Sequence, residues 1–298
     1  MSLIFVISAP RAGSTLLQRM LGAHSEIFTH PEPHLISPIA HLGVYGNVDK
    51  APYDHINAAE AIRSFIEDLP EGERDYLDAL RAYSDTMYGR MLSTSDCSRF
   101  LDKTPANALV LPFLQKLYPD AKYLVLTRHP LAVFSSYANS FFAGDWEAAQ
   151  AFNPILQRYV PAMARFLRER EVPLMQVAYE RLVSEPESEL ERVFAFLGLP
   201  NEPDAVRYGE AGPAKAGMGD PINVNQHSAP MTASLDKWAS EVAADPAKKA
   251  LAARMIDALD PNDLEAWQWP REAIWEALEA SGAKAPPKPV WNSYTVQR

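Results

Sequence analysis

The sequence predicts an α/β fold of three layers, in which helices cover both faces of a central parallel sheet. Short apolar runs rich in β-branched residues recur along the chain, as is typical of strands buried on both faces. Each run leads into a segment with helical spacing, and this alternation of strand and helix indicates βαβ units. With 298 residues, 47% of them hydrophobic, the chain can bury a substantial core.

The first unit opens with the apolar run LIFVIS (3–8), which we expect to form a buried strand. A compact loop, APRAGS (9–14), follows it. The next helix is predicted by apolar residues that share one face: Leu16, Leu17, Met20 and Leu21. We expect Ser14 or Thr15 to cap this helix, because a side-chain oxygen there accepts from an otherwise unpaired N–H.

Three further strands are predicted at 99–103, 122–127 and 173–180. Pro130 suits the first position of the helix after the second of these, where its missing N–H has no partner to lose. The helix after the third should end at Gly198. Its apolar face is formed by Leu190, Val193, Phe194 and Leu197.

We expect these units and the segments between them to form a single domain over residues 1–282. We expect residues 35–98 and 141–170 to be mostly helical, and the Gly- and Pro-rich segment 209–234 to form a loop or lid. C-terminal helices over 235–282 and an irregular tail over 283–298 complete the chain.

Composition excludes several classes of partner. A formal net charge of −10 opposes binding to nucleic acid, to anionic membranes and to a polyanionic acceptor. No apolar run reaches the roughly 18 residues of a membrane span, and the N-terminus lacks the pattern of a signal peptide, so we expect a soluble, cytoplasmic protein. The single cysteine, Cys97, cannot form an intrachain disulfide, and no Cys/His cluster predicts a metal site.

The first loop has the chemistry of an anion cradle. Backbone N–H groups from Ala12 through Gly13 and Ser14 to Thr15 converge at a helix N-terminus, where the helix dipole adds positive potential. Arg11 adds a full charge. The loop is not a Walker A motif, because it has one glycine and no lysine before its Ser/Thr. The alternative is a plain strand–turn–helix junction with a tight-turn glycine.

A second anion-binding pair is Arg128 and Ser136. Arg128 ends a strand, and Ser136 lies eight positions later in the next helix, from which its side chain leans back toward the strand end. A guanidinium at that point can bind a phosphate through two hydrogen bonds. The alternative is a surface arginine and a solvated serine.

Four segments together resemble the sulfotransferases that use 3′-phosphoadenosine 5′-phosphosulfate (PAPS). PRAGST (10–15) resembles their 5′-phosphosulfate loop, and YLVLTRHPLAVFSSY (123–137) their 3′-phosphate motif. LDKTP (101–105) is similar to their lysine motif, and YERLVSEPESELERVFAFLGLP (179–200) to their Y-E-D-L…FLGLP segment. The resemblance implies a P-loop-like fold whose donor site lies mainly in residues 1–200, with 209–234 as lid or acceptor loop.

The resemblance also implies roles for individual residues. Arg11 and the N–H groups of 12–15 would hold the 5′-phosphosulfate, and Arg128 with Ser136 the 3′-phosphate. Tyr179 would line the adenine pocket. Lys103 would neutralise the leaving phosphate beside the bridging oxygen. No metal is implied.

Two departures place the chain nearer the bacterial and tyrosylprotein branches than the familiar cytosolic branch. Pro105 stands where cytosolic enzymes carry a catalytic histidine, and GMGDPINVNQHSAP (217–230) replaces their R-K-G loop. The other branches use a glutamate after the first helix as general base. Here IFTHPEPHL (27–35) offers Glu32, with His30 and His34 as rival bases.

The resulting hypothesis is a sulfotransferase in which Glu32 removes a proton from a hydroxyl acceptor that is either a small molecule or carrier-bound. His34 and His227 are weaker candidates for substrate contacts. Two alternatives stay open: a nucleotide-dependent small-molecule kinase, and a non-catalytic nucleotide-binding or carrier-docking module.

Overall fold

The computed structural model describes residues 2–48, 53–210 and 227–286. Its centre is a sheet of five parallel strands in the order β2-β3-β1-β4-β5. The strands are β1 (Ser2–Ser8), β2 (Ile27–Thr29), β3 (Arg99–Asp102), β4 (Lys122–Thr127) and β5 (Leu174–Ala178). The parallel sheet expected from the sequence is therefore confirmed.

Helices connect and cover the strands. The first part of the chain forms α1 (Ser14–Gly22), α2 (Ile36–Ala40), α3 (His55–Glu67), α4 (Glu73–Leu92), a 3₁₀ turn at Pro105–Leu109 and α5 (Leu111–Leu117). The middle part forms α6 (Pro130–Phe141), α7 (Trp146–Phe152), α8 (Ile155–Glu169), α9 (Tyr179–Ser184), α10 (Pro186–Leu197) and a 3₁₀ turn at Pro203–Arg207. The last part forms α11 (Lys237–Ala244), α12 (Pro246–Asp257), α13 (Pro261–Ala266), α14 (Arg271–Ile274) and α15 (Glu276–Ala280).

The central strand β1 forms the middle of the core. Residues 4–7 of this strand are completely buried, which explains why the run is apolar without alternation. β1 pairs with β3 on one side and β4 on the other, while the chain leaves β1 toward β2 and leaves β4 toward β5. The connections thus diverge between the carboxyl ends of β1 and β4, and such a switch point leaves a crevice in an open parallel sheet.

The expectation that Ser14 or Thr15 caps α1 is wrong. α1 begins at Ser14, and the capping position before it is held by Gly13, with φ 96° and no side-chain hydrogen bond to the helix. Neither Ser14 nor Thr15 therefore caps α1, and its first N–H groups remain available to a ligand.

Two predicted segments are described only in part. Of the lid or acceptor loop (209–234), residues 211–226 lie outside the described residues, and so do residues 287–298 of the tail. Among the helices in the described ranges, none has both the length and the apolarity needed to cross a membrane.

His129 caps α6 from within the core. Its Nδ1 accepts a hydrogen bond from the Ala132 N–H at 3.4 Å, and its Nε2 lies 2.9 Å from the Ile274 carbonyl oxygen, to which it donates. The ring stacks on Trp238 with centroids 4.3 Å apart. Both ring nitrogens are thus used in the neutral form, and burial lowers the pKa of His129 from 6.5 to about 3.

We predict that His129 makes the fold sensitive to acid. Because its pKa is lower in the folded protein than in the unfolded chain, its contribution to stability is complete above pH 6.5 and is lost as the pH falls toward about 3. Between pH 7 and pH 5 the free energy of unfolding should fall by about 2 kcal/mol more in the wild type than in His129→Asn, which can cap but not titrate. Urea unfolding at the two pH values measures this difference, and parallel losses in both proteins would contradict the assignment.

Candidate active site

A cleft of about 1040 Å³ opens at the switch point of the sheet. Its walls come from the loops after β1, β2, β3 and β4, together with α6, α9 and the segment that leads into α11. Most of the residues singled out in the sequence line it: Arg11, Ser14, Thr15, Glu32, His34, Arg128, Ser136, Tyr179 and His227. Ala12 and Lys103 are buried beneath this surface.

The loop after β1 turns sharply enough to require a glycine. Arg11 and Gly13 both have positive φ, 65° and 96°. A Cβ on Gly13 would lie 2.3 Å from the Tyr179 ring, so only glycine allows the loop to approach that ring.

The backbone donors of the cradle differ in one position from the sequence expectation. The Ala12 N–H donates to the Ala9 carbonyl oxygen at 3.3 Å, so it closes the turn and is not available to an anion. The first intrahelical bond of α1 runs from the Leu17 N–H to the Gly13 carbonyl oxygen. The N–H groups of Gly13, Ser14, Thr15 and Leu16 precede it and are the four that α1 leaves unsatisfied.

Arg11 and Ser136 meet across the cleft, although 125 positions separate them in sequence. The Arg11 Nε donates to the Ser136 Oγ at 3.3 Å. This contact joins the loop after β1 to α6, so the two motifs that the sequence assigned to different anions lie within one site.

Arg128 forms the floor of the same region. Its Nη1 donates to the Arg11 carbonyl oxygen and its Nη2 to the Ser234 carbonyl oxygen, both at 3.2 Å, and its guanidinium lies 4.1 Å from the Tyr179 ring centroid. Burial lowers the pKa of Arg128, but a guanidinium stays charged in a protein. Its Nε has no hydrogen-bond partner within the described residues, so this buried cation retains donor capacity.

Lys103 connects the cradle to the loop after β2. Its side chain is 1% exposed, and its Nζ lies 2.6 Å from the Glu32 Oε1 and 3.4 Å from the Thr15 Oγ1. The other carboxylate oxygen of Glu32 lies 3.5 Å from the His34 Nε2. Glu32 therefore lies between an ammonium group and an imidazole, at the edge of the anion cradle.

The two remaining histidines lie in different places. His30 does not line the cleft; its Nδ1 lies 2.9 Å from the Pro31 carbonyl oxygen, and its own carbonyl oxygen accepts from the Gln18 amide. His227 lines the cleft and is the first described residue after 211–226. His30 is thus removed from the anion site, whereas His34 is part of it.

Several residues that line the cleft were not predicted from the sequence. Ser234 accepts from Arg128 through its carbonyl oxygen, and its Oγ is 3.2 Å from the Tyr179 hydroxyl. Arg19 stacks its guanidinium on the Tyr208 ring at 4.6 Å, and Lys237 lies at the start of α11. Arg19 could have been found, because it is one helical turn after Thr15 and shares its face.

The cleft is electropositive although the chain is acidic. Its described lining contains four cationic side chains and two carboxylates: Arg11, Arg19, Arg128 and Lys237, with Glu32 and Glu241. On a chain with a net charge of −10, this concentration of cations favours a polyanionic ligand at this site. Within the described ranges, no group of three or more His, Cys, Asp or Glu side chains could hold a metal ion.

Comparisons with known proteins identify the family that this chain resembles. A model of the sulfotransferase family matches residues 3–203. The nodulation protein NoeE of Sinorhizobium fredii is 31% identical over 218 residues, 65% of this chain and 49% of the relative. Protein-tyrosine sulfotransferase A of Caenorhabditis elegans is 25% identical over 209 residues, 66% of this chain and 50% of the relative. The chain thus spans about half the length of these two relatives.

Among solved structures, the sulfotransferase domain of the Synechococcus PCC 7002 olefin synthase is similar to this chain. The two align with a TM-score of 0.57 and 23% identity, over 96% of each chain. At this identity the likeness bears on the fold, and it confirms the expected P-loop-like arrangement of a parallel sheet between helices.

Proposed function

The chain belongs to the sulfotransferase family, and we propose that it transfers the sulfuryl group of PAPS to a hydroxyl acceptor. The family expected from the four sequence motifs is confirmed, and its bacterial and tyrosylprotein branches are represented among the relatives. The donor, the general base and the acceptor are the proposed parts.

The position of Lys103 is the observation that carries the proposal. Its ammonium group is in contact both with Thr15, in the cradle at the start of α1, and with the Glu32 carboxylate. A donor whose 5′-phosphosulfate occupied the cradle would therefore have a cation beside its bridging oxygen, and a proton acceptor in contact with that cation.

The residues present fit a donor with two separate anionic groups. Arg11 and the N–H groups at the start of α1 would bind the 5′-phosphosulfate. Arg128, with its unpartnered Nε, and the Ser136 hydroxyl would bind the 3′-phosphate. The Tyr179 ring, packed between Gly13 and Arg128, would form one side of the adenine pocket.

The proposed reaction is a direct in-line displacement. The acceptor oxygen attacks sulfur, the bond from sulfur to the bridging phosphate oxygen breaks, and the acceptor proton passes to Glu32. The products are a sulfate ester and 3′-phosphoadenosine 5′-phosphate (PAP). Lys103 and Arg11 stabilise the charge that develops on the leaving phosphate, as cations do in phosphoryl transfer.

Glu32 has the position that this role requires. It forms an ion pair with Lys103 and lines the cleft, where its side chain can meet an acceptor hydroxyl. The acceptor, whether a small molecule or a carrier-bound hydroxyl, and the cytoplasmic location both stay predictions.

We predict that PAP stabilises the protein much more than ATP does. PAP carries both a 3′-phosphate for Arg128 and Ser136 and a 5′-phosphate for the cradle, whereas ATP lacks the 3′-phosphate. At 100 times its dissociation constant a ligand adds about 2.7 kcal/mol to the free energy of unfolding. Thermal unfolding with each nucleotide measures this, and equal increases in melting temperature would contradict the donor assignment.

Replacing Arg128 should weaken only those donors that carry a 3′-phosphate. Arg128→Ala is expected to cost about 2–3 kcal/mol in PAPS binding, since a charge-assisted partner is lost. Binding of adenosine 5′-phosphosulfate should barely change, and Arg254→Ala, at an exposed ion pair with Glu147, serves as control. Titration calorimetry gives both affinities; a similar loss for both donors would mean that Arg128 has a structural role only.

Replacing Glu32 should separate catalysis from binding. Glu32→Gln keeps the shape and can still accept a hydrogen bond from Lys103, but it cannot take a proton, so turnover should fall by about 10²–10⁴-fold with donor affinity near wild type. His34→Asn should cost less, and His30→Asn least. Steady-state kinetics with labelled PAPS test this order. Near-normal turnover of Glu32→Gln together with an inactive His34→Asn would reassign the base.

A further inference from the structure

A buried carboxyl group adjoins the proposed site but has no part in the proposed reaction. Asp102, the last residue of β3, is 1% exposed. Its Oδ2 accepts from the Tyr88 hydroxyl at 2.5 Å and its Oδ1 from the Thr104 hydroxyl at 2.7 Å. Burial raises the pKa of Asp102, and the hydroxyl groups of Tyr88 and Thr104 compensate part of the cost of burying this polar group.

Thr104 links this carboxyl group to the loop that carries Glu32. Its side chain is completely buried, and its Oγ1 accepts from the backbone N–H of His34 at 3.4 Å while its own hydrogen points to Asp102. The Thr104 hydroxyl therefore makes two hydrogen bonds: it donates to Asp102 at the end of β3 and accepts from His34 in the loop after β2.

The loop depends on this contact because it has few backbone donors. Pro31 and Pro33 flank Glu32 and have no N–H, so within residues 31–34 only Glu32 and His34 can donate from the main chain. His34 also has φ 50°, a conformation that costs energy in a residue other than glycine and persists only where neighbours enforce it.

We propose that Thr104, oriented by Asp102, is a positioning residue that holds Glu32 in register with Lys103. It acts through the His34 backbone and touches no reacting atom. This inference rests on the proposed function only in taking Glu32 as the proton acceptor; the contact between Thr104 and the loop is independent of it.

Loss of the Thr104 hydroxyl should affect rate and not donor binding. Misplacement of a catalytic group by 1 Å can cost about 10²-fold in rate. Thr104→Val keeps the shape but removes the hydroxyl, so the turnover number should fall by about 10- to 100-fold. The affinity for PAP should stay near wild type, because Arg11, Arg128 and Ser136 lie outside this loop. Thr104→Ser restores the hydroxyl and should recover most of the turnover.

Ser84→Ala is the matched control for loss of a buried hydroxyl. Ser84 is also completely buried and also bonded on both sides, donating to the Leu80 carbonyl oxygen at 2.8 Å and accepting from the Tyr118 hydroxyl at 2.8 Å. It lies in α4, away from the cleft, so Ser84→Ala should lower the melting temperature and leave turnover unchanged.

The experiment compares these three variants with the wild type in three measurements. Transfer of label from PAPS is followed with the best acceptor from a panel of simple alcohols and phenols, and PAP affinity is titrated alongside. Hydrogen–deuterium exchange is followed in peptides that cover residues 30–36, which should exchange faster in Thr104→Val but not in Thr104→Ser or Ser84→Ala.

The outcomes separate this inference from the proposed function. A faster-exchanging loop with lower turnover and unchanged PAP affinity in Thr104→Val supports the positioning role. Unchanged exchange, unchanged turnover, or an equal loss of turnover in Ser84→Ala would overturn it. If even the wild type transfers no label, the proposed function fails, and the exchange data still decide whether Thr104 holds the loop.

Discussion

The ion pair between Lys103 and Glu32 is the interaction on which the site depends. An ammonium group that is 1% exposed is costly to bury unless a charged partner and further hydrogen bonds compensate it. Glu32 and Thr15 are such partners: Glu32 lies in the loop after β2, and Thr15 lies in the first turn of α1. The pairing therefore brings the ends of β1, β2 and β3 together, and it places a carboxylate beside an anion cradle, where an isolated one would be repelled by a donor.

The anion cradle is locally positive, although the chain as a whole is acidic. Because the net charge of the chain is −10, the long-range electrostatic field of the protein does not attract an anionic nucleotide to the cleft. Instead Arg11 and Arg128 converge at the switch point of the sheet, and within the described residues the buried Arg128 Nε retains an unused donor. Gly13 lets the loop approach Tyr179, and the ring in turn supports Arg128. The proposed binding of an anionic donor thus depends on the local charge of this cleft and not on the net charge of the chain.

Much of the fold was predictable because its signals are local. β1 and β4 are continuous apolar runs since both faces of the sheet are covered, and their following helices carry regular apolar faces. The order of the strands and the contact between Thr104 and His34 depend on residues that are far apart in sequence and meet only after folding. Ser234 and Lys237 were not predicted for a similar reason. Ser234 ends the Gly- and Pro-rich segment 209–234 and Lys237 follows it, and this segment has no periodicity from which a position facing the cleft could be predicted.

A crystal structure of the protein with PAP tests the central claim most directly. The account predicts that the 3′-phosphate contacts Arg128 and Ser136, and that the 5′-phosphate lies at the start of α1 within hydrogen-bond distance of the Lys103 Nζ. PAP bound outside this cleft, or bound within it with a 3′-phosphate that does not touch Arg128, would contradict the account.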